Sequence, residues 1–177
     1  MSQASRYAGF MTDPHMRLVG PLADREAWTA DHCSLDGAFT VIGTRSAMLI
    51  LREAYYGTTR FDGFVTGTGM TEAVTAGRLK DLVAYGLLER RPYQEPGRRT
   101  RHEYVLTESG IDLLPAIVGL FHWGDKHIAP ASGGPRLALS HRDCGRLVTA
   151  HVRCDAGHEV QIDDIDVRTR GKASALQ

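Results

Sequence analysis

The arrangement of apolar residues between positions 35 and 128 constrains the fold most. Apolar side chains recur at three- and four-residue spacing in four successive segments, which is typical of short amphipathic helices. The first predicted helix covers 35–42 and the third covers 61–65. The second begins at a cap at Ser46 and ends at Gly57, and the fourth begins at a cap at Thr71 and ends at Gly86. In the fourth helix we expect Thr75, Leu79 and Leu82 to face inward.

After Gly86 the pattern changes to two short segments that favour strands, at 87–91 and 101–107. The stretch between them is rich in turn residues, so we predict a hairpin. Five arginines and one glutamate between positions 90 and 101 give it a local charge of +4, although the whole chain has 21 basic and 21 acidic residues. At the base of the hairpin we expect Arg90 and Arg91 to be ion-paired.

A long helix is predicted next, from a cap at Thr107 to about Ile128, and Pro115 should bend it or end its first turn. The positions expected to face inward are Ile111, Leu114, Ile117, Val118 and Phe121. Three further apolar residues widen the stripe beyond what one core needs, namely Leu113, Leu120 and Trp123. We expect these three to form a dimer interface, or alternatively to cover the amino-terminal or carboxy-terminal segment.

The order of the predicted elements is that of a winged helix-turn-helix. It runs through two helices, a short helix, a capped helix, a basic hairpin and a long helix. The expected fold class is therefore mainly α (α+β), with a long C-terminal dimerisation helix and a small β-rich C-terminal appendage. The predicted division is a leader at 1–30, the DNA-binding domain at 31–128, a linker at 129–135 and a zinc-ribbon-like tail at 136–177.

The outward side of the fourth helix is the predicted surface for the DNA major groove. Its members are Thr71, Glu72, Ala73, Ala76, Gly77 and Lys80. The set contains no Arg, Asn or Gln for bidentate base reading, while Lys80 and Thr71 suit phosphate contacts. Glu72 would accept from a cytosine amino group or simply favour the helix N-terminus. Gly77 costs about 1 kcal/mol of helix stability relative to Ala, and a close approach of DNA would explain it.

The hairpin tip supplies the second predicted DNA contact. Arg98, Arg99 and Arg101 are expected to reach phosphates or the minor groove, the alternative being a merely solvated basic loop.

The chain also resembles a known family, the HxlR-type branch of the MarR-like winged-helix transcription regulators. The resemblance covers residues 33–128 and is carried by Cys33, Val41-Ile42-Gly43, Leu49-Ile50-Leu51-Arg52-Glu53, Gly57, Arg60-Phe61, Arg78-Leu79-Lys80-Asp81-Leu82, Gly86-Leu87-Leu88-Glu89-Arg90, Tyr104-Val105-Leu106-Thr107-Glu108-Ser109-Gly110, Leu114-Pro115 and Trp123. The chain departs from the usual pattern at Ser46, where the family more often has Trp. The resemblance implies a cytoplasmic homodimer that binds double-stranded DNA at an inverted-repeat operator near its target promoter. We expect it to act as a repressor, the alternative being an activator.

Cys33 stands directly before the first predicted helix, next to His32. A helix N-terminus favours the thiolate form of a cysteine, which is its reactive form. Some members of the resembling family sense oxidants or electrophiles with a cysteine at this place, and others bind a small-molecule effector. The alternative is that Cys33 is a small buried hydrophobe.

The tail contains two pairs of metal-ligand residue types, His141 with Cys144 and Cys154 with His158. Two such pairs around a short hairpin resemble a zinc ribbon, whose tetrahedral site takes Cys and His ligands. Residue 157 is Gly where a second cysteine is common, so the alternative is a metal-free remnant held by packing.

Other function classes lack support in the sequence. The chain has no apolar run of the roughly 18 residues that span a bilayer, no signal-peptide pattern in its first 20 residues, and too few cysteines for a disulfide framework. No nucleophile elbow, phosphate-binding loop or metalloprotease motif is present. We therefore expect a DNA-binding regulator rather than an enzyme. The alternatives are a small-molecule-binding or redox enzyme on a winged helix, or a protein-interaction module that does not bind DNA.

Overall fold

The computed structural model describes residues 14–26, 33–97, 99–128 and 137–169. Its helices and strands, in chain order, are β1 (Arg17–Leu18), α1 (Ser34–Ile42), α2 (Arg45–Tyr55), α3 (Phe61–Thr68), α4 (Glu72–Ala84), β2 (Leu88–Tyr93), β3 (Arg101–Leu106), α5 (Glu108–Asp112), α6 (Leu114–His127) and β4 (Asp166–Val167). Short 3-10 helices occupy Gly20–Ala23 and Ile162–Asp164. None of the helices in the described parts is long and apolar enough to cross a membrane.

The chain divides into two compact units. The central unit is His32–Ala150, and the terminal unit combines Met1–Asp31 with His151–Gln177. The terminal unit therefore joins the predicted leader to the second half of the predicted tail.

The core of the central unit is formed by α2, α3, α4 and the start of the hairpin. Its largest fully buried side chains are Ile50, Leu51, Phe64, Thr75, Leu79, Leu82 and Leu88. This set contains the three residues of α4 that the sequence predicts to face inward. Phe64 also makes an edge-to-face contact with Tyr104, with ring centroids 6.2 Å apart, so α3 is fixed against the hairpin.

Helix caps explain where the elements of this unit begin. Thr71 accepts from the backbone N–H of Val74 (3.4 Å) and Thr107 accepts from that of Gly110 (3.1 Å), as predicted. The cap of α2 is Thr44, which accepts from Ala47 N–H (3.1 Å), so the predicted cap at Ser46 was placed two residues late. Gly69 ends α3 with a φ of 66°, a left-handed conformation that glycine adopts without strain. The turn between α3 and α4 is thereby set.

The predicted hairpin is present, with β2 and β3 paired antiparallel from Leu88↔Leu106 to Tyr93↔Arg101. The segment before α3 extends this sheet, because Tyr104 N–H donates to Thr59 O (2.8 Å) and Arg60 forms an isolated bridge with Glu103. Helix, turn, helix and hairpin are therefore one packed body, which gives a wing a fixed position beside α4.

The predicted long helix is interrupted at Leu113, where α5 ends and α6 begins with Pro115 in its first turn. A proline at that position lacks only an N–H that would be unpaired anyway, so it starts a helix well and continues one badly. The inward prediction holds for Val118, which is buried, whereas Ile111 and Leu114 are exposed. The break agrees with the prediction that Pro115 interrupts this helix, whereas the exposure of Ile111 and Leu114 was not predicted.

The terminal unit is built from both ends of the described chain. The strands β1 and β4 pair in parallel, and Arg17 makes two hydrogen bonds to the Asp166 carboxylate (2.7 and 3.0 Å). These bonds, more than the charge of Arg17 alone, hold the pKa of Asp166 below its usual value. Leu22 is buried here. The unit contains little regular structure, since its remaining bridge is the single pair Arg153↔Glu159 among the residues that are described.

Candidate nucleic-acid interface

The outer face of α4 is open to solvent. Each of the six predicted contact residues, from Thr71 to Lys80, is exposed, and Val74 beside them is exposed too. The Thr71 hydroxyl already accepts the cap bond from Val74, but its own O–H remains able to donate to a phosphate oxygen. Glu72 lies in the first turn of α4, where the helix dipole favours an acid. A Cβ placed on Gly77 would meet nothing within 4 Å, so intramolecular packing does not require this glycine.

The wing tip follows Gly97, whose φ of 75° is the left-handed conformation. Arg99 and Arg101 are both exposed, as a DNA contact requires. Arg98 lies outside the described residues, so its predicted contact with DNA has no structural description.

At the base of the wing the two neighbouring arginines differ. Arg91 Nη2 donates to Glu89 Oε2 (2.8 Å), and this hydrogen bond keeps the pKa of Glu89 below its usual value. The expected ion pair of Arg91 is therefore confirmed. The same expectation for Arg90 was wrong within the described part of the chain, where its side chain contacts no carboxylate and Nη2 lies 2.9 Å from Nδ1 of His102.

A cleft with basic residues between α4 and the wing is a candidate site that the sequence did not predict. A cavity of about 310 Å³ lies among Arg60, Arg90, Arg101 and the ring of Tyr93. A second cavity of about 310 Å³ lies between Lys80 and Arg90. Strand alternation was the available signal, because it places Arg90 and Arg91 on opposite faces of β2.

The predicted dimer residues do not share one environment. Leu120 is 54% exposed and Trp123 is 56% exposed, whereas Leu113 is half-buried and packs against the core of the central unit. Leu35 and Phe39 of α1 are also more than half exposed. The exposed apolar surface of this unit thus includes residues of α1 as well as of α6.

Cys33 is the residue that precedes α1, as predicted, and its free thiol is half-buried. The thiol makes no side-chain capping bond to the helix backbone. His32, the predicted neighbour, lies outside the described residues.

The two predicted metal-ligand pairs each have donors close together. Nδ1 of His141 is 3.3 Å from Sγ of Cys144, and Sγ of Cys154 is 3.6 Å from Nδ1 of His158. Both values are near the roughly 3.5 Å between S and N ligands on a tetrahedral zinc ion with normal bond lengths. Within the described ranges, however, no three or more His, Cys, Asp or Glu side chains group closely enough to hold a metal ion. A structural zinc site needs four ligands, so zinc binding stays a prediction from sequence.

Comparison with known proteins agrees with this geometry. The family model described as HxlR-like helix-turn-helix matches residues 41–132. An uncharacterized HTH-type transcriptional regulator of Mycobacterium tuberculosis is 41% identical over 123 residues, which cover 67% of this chain and 76% of the relative. A relative of the same description from Mycobacterium bovis matches to the same extent.

Two solved structures are similar to the chain as well. PA1607, a candidate transcription factor, is 30% identical, with a TM-score of 0.70 over 79% of this chain and 96% of its own. The candidate transcription factor PA1374 from Pseudomonas aeruginosa is 29% identical, with a TM-score of 0.56 over 80% of this chain and 95% of its own. The similarity to both structures extends beyond the helix-turn-helix and the wing.

Proposed function

Since this chain belongs to the HxlR-like helix-turn-helix family and its relatives are transcriptional regulators, we propose that it acts as a homodimeric repressor at an inverted-repeat operator in double-stranded DNA. The observation that supports this most is the exposed outer face of α4 next to an arginine-bearing wing on the same packed unit. One helix fits a major groove, and the wing then lies over the adjacent backbone or minor groove.

The mode of recognition follows from the residue types on α4. Small side chains at Ala73, Ala76 and Gly77 allow the helix backbone to come near base edges, yet they offer no bidentate hydrogen bonds. Phosphate contacts by Lys80 and the wing arginines then provide most of the affinity, and that contribution depends strongly on salt. We propose that this protein reads its operator partly through the shape of the DNA.

Replacing Arg99 and Arg101 together by alanine tests the wing. We expect affinity for the DNA upstream of the gene to fall at least about tenfold at moderate salt, because each lost phosphate contact reduces the number of counterions released on binding. Fluorescence anisotropy over a salt series measures this loss. Arg142→Ala, at an exposed arginine outside the wing, is the control and should bind normally. Unchanged affinity in the double variant would contradict the wing assignment, and a wild type with no DNA affinity would favour a protein-interaction module.

The dimer is proposed to form through the exposed apolar residues of α1 and α6, since half-sites of an inverted repeat need two-fold symmetry. Sedimentation should give twice the chain mass for the wild type. Changing Leu120 and Trp123 to glutamate should give a monomer that binds the operator more weakly. A double variant that remains dimeric would exclude α6 from the interface.

We propose that a cytoplasmic oxidant, electrophile or other small molecule lowers operator affinity, with the half-buried thiol of Cys33 as the sensor for the first two. A mobility shift with and without oxidant, in wild type and Cys33→Ser, tests this. Equal responses of the two proteins would remove Cys33 from the mechanism.

A further inference from the structure

The two cavities beside the wing adjoin, because Arg90 and Tyr104 line both. These two residues are register partners in the β2–β3 hairpin, so the side chain of Arg90 stands where the cavities meet. One cavity reaches Lys80 and Ala76 on the outer part of α4, and the other reaches Arg101 near the wing tip. The two cavities, which we call the cleft, lie side by side from the proposed recognition helix to the wing.

The charged side chains that line this cleft are mostly basic, and the other lining residues are largely aromatic or apolar. Among the described residues, Lys80, Arg60, Arg90 and Arg101 line it, and Asp62 is the single acid that does so. Arg60 is partly neutralised, since its Nη2 lies 3.0 Å from Glu95 Oε1, and its guanidinium stacks 4.9 Å from the centre of the Tyr93 ring. The part between Lys80 and Arg90 has two cations in its lining and no acid of the described chain, which favours an anionic ligand there.

Arg90 is held in place by a partner that carries no negative charge. A guanidinium only donates hydrogen bonds, so Nδ1 of His102 must be the acceptor in the 2.9 Å contact with Arg90 Nη2. This bond orients the guanidinium and leaves its charge uncancelled. It uses one of five N–H donors, and the remaining donors suit the paired oxygens of a phosphate.

We propose that this cleft binds a phosphodiester of the DNA backbone, with Arg90 as the principal donor and Lys80 as the second. The inference rests on the proposed function, and it adds a contact between those of the helix and the wing. A backbone strand must pass between a helix in the major groove and a wing over the next groove, and the cleft occupies that place. Its continuity with the outer face of α4 favours DNA over a free small anion.

The experiment compares Arg90→Ala with Arg91→Ala, which changes the neighbouring arginine on the opposite face of β2. Each protein is titrated with upstream DNA and with unrelated DNA of equal length over a salt series. The slope of log affinity against log salt is negative. Loss of one phosphate contact per protomer should make it shallower by about 1.8 for a dimer, equally on both DNAs. Arg91→Ala should keep the wild-type slope, and Arg90→Lys should restore most of it.

Arg90→Gln is a second neutral variant in case alanine disturbs the fold, and thermal melts check both proteins. If the wild type binds DNA normally and a folded neutral variant keeps the wild-type slope, the cleft does not bind a phosphate. That result would contradict this inference but not the proposed function. A wild type without salt-dependent DNA binding would overturn both. A calorimetric titration with inorganic phosphate at constant ionic strength should show no saturable binding. Saturable binding that Arg90→Ala abolishes would instead assign the cleft to a free anion.

Discussion

The two faces of α4 differ as much as two regions of one helix can. On the inner face Thr75, Leu79 and Leu82 are at most 1% exposed and pack against the core. On the outer face every residue from Thr71 to Lys80 that the sequence assigns to DNA is exposed. Stability therefore depends on the inner residues of α4, while the outer residues are available for contact with another molecule.

Two glycines of the helix-turn-helix make the same contrast. A Cβ on Gly67 of α3 would collide with the carboxylate of Glu53, which is buried and held by Arg52 Nε (3.0 Å) and Nη2 (2.6 Å). A Cβ on Gly77 of α4 would meet open space. A side chain at the first position would thus have to displace the Glu53 carboxylate, whereas packing does not explain the glycine at the second.

The largest expected effect comes from Leu79→Ala on the inner face. We expect it to lower the free energy of unfolding by about 3 kcal/mol, because truncating a fully buried leucine leaves a cavity. Chemical denaturation measures this. Lys80→Ala, one residue along on the outer face, is the matched control and should change stability by less than about 0.5 kcal/mol while weakening DNA binding. Similar losses of stability in the two variants would break the distinction between the faces.

A smaller loss is expected for Gly67→Ala. The new methyl group must displace the Glu53 carboxylate, and Arg52 would then lose alignment with both Glu53 and the Gly67 carbonyl, to which it donates at 2.8 Å. Overpacking of this kind costs about 2 kcal/mol. A thermal melt compared with wild type shows the change. A variant as stable as wild type would mean that the buried carboxylate moves at no cost.

The smallest expected effect, and of opposite sign, belongs to Gly77→Ala. Alanine should raise the free energy of unfolding by about 1 kcal/mol, since it restricts the unfolded chain and fits the open space. We expect the same variant to bind operator DNA more weakly, because the added methyl group holds the helix away from the groove. Denaturation and anisotropy on one preparation test both parts. Increased stability with unchanged affinity would show that DNA does not approach at Gly77.

The local features of the fold could be read from the sequence. Caps at Thr71 and Thr107, the inward residues of α4 and the hairpin depend on neighbours within a few positions, and all are present. One local feature, the cap of α2, was placed at Ser46 instead of Thr44. The other features that were missed depend on contacts beyond the local sequence. Ile111 and Leu114 proved to be exposed although helical spacing placed them inward, and the partner of Arg90 proved to be His102 on the facing strand rather than an acid. At the candidate interface, the residue types were enough to predict the exposed face of α4. The cleft could not be predicted in this way, because it depends on which residues of β2 and β3 are paired.

The pairing of β1 with β4 has a consequence for how the protein is made. Arg17 and Asp166 are separated by 149 positions, so the amino-terminal strand leaves the ribosome long before its partner has been synthesised. Everything from Ser34 to His127 can fold during that interval, because its contacts are already available. We therefore expect the terminal unit to fold last. A nascent chain that stops before Asp166 would have a folded central unit and a β1 strand without its partner β4.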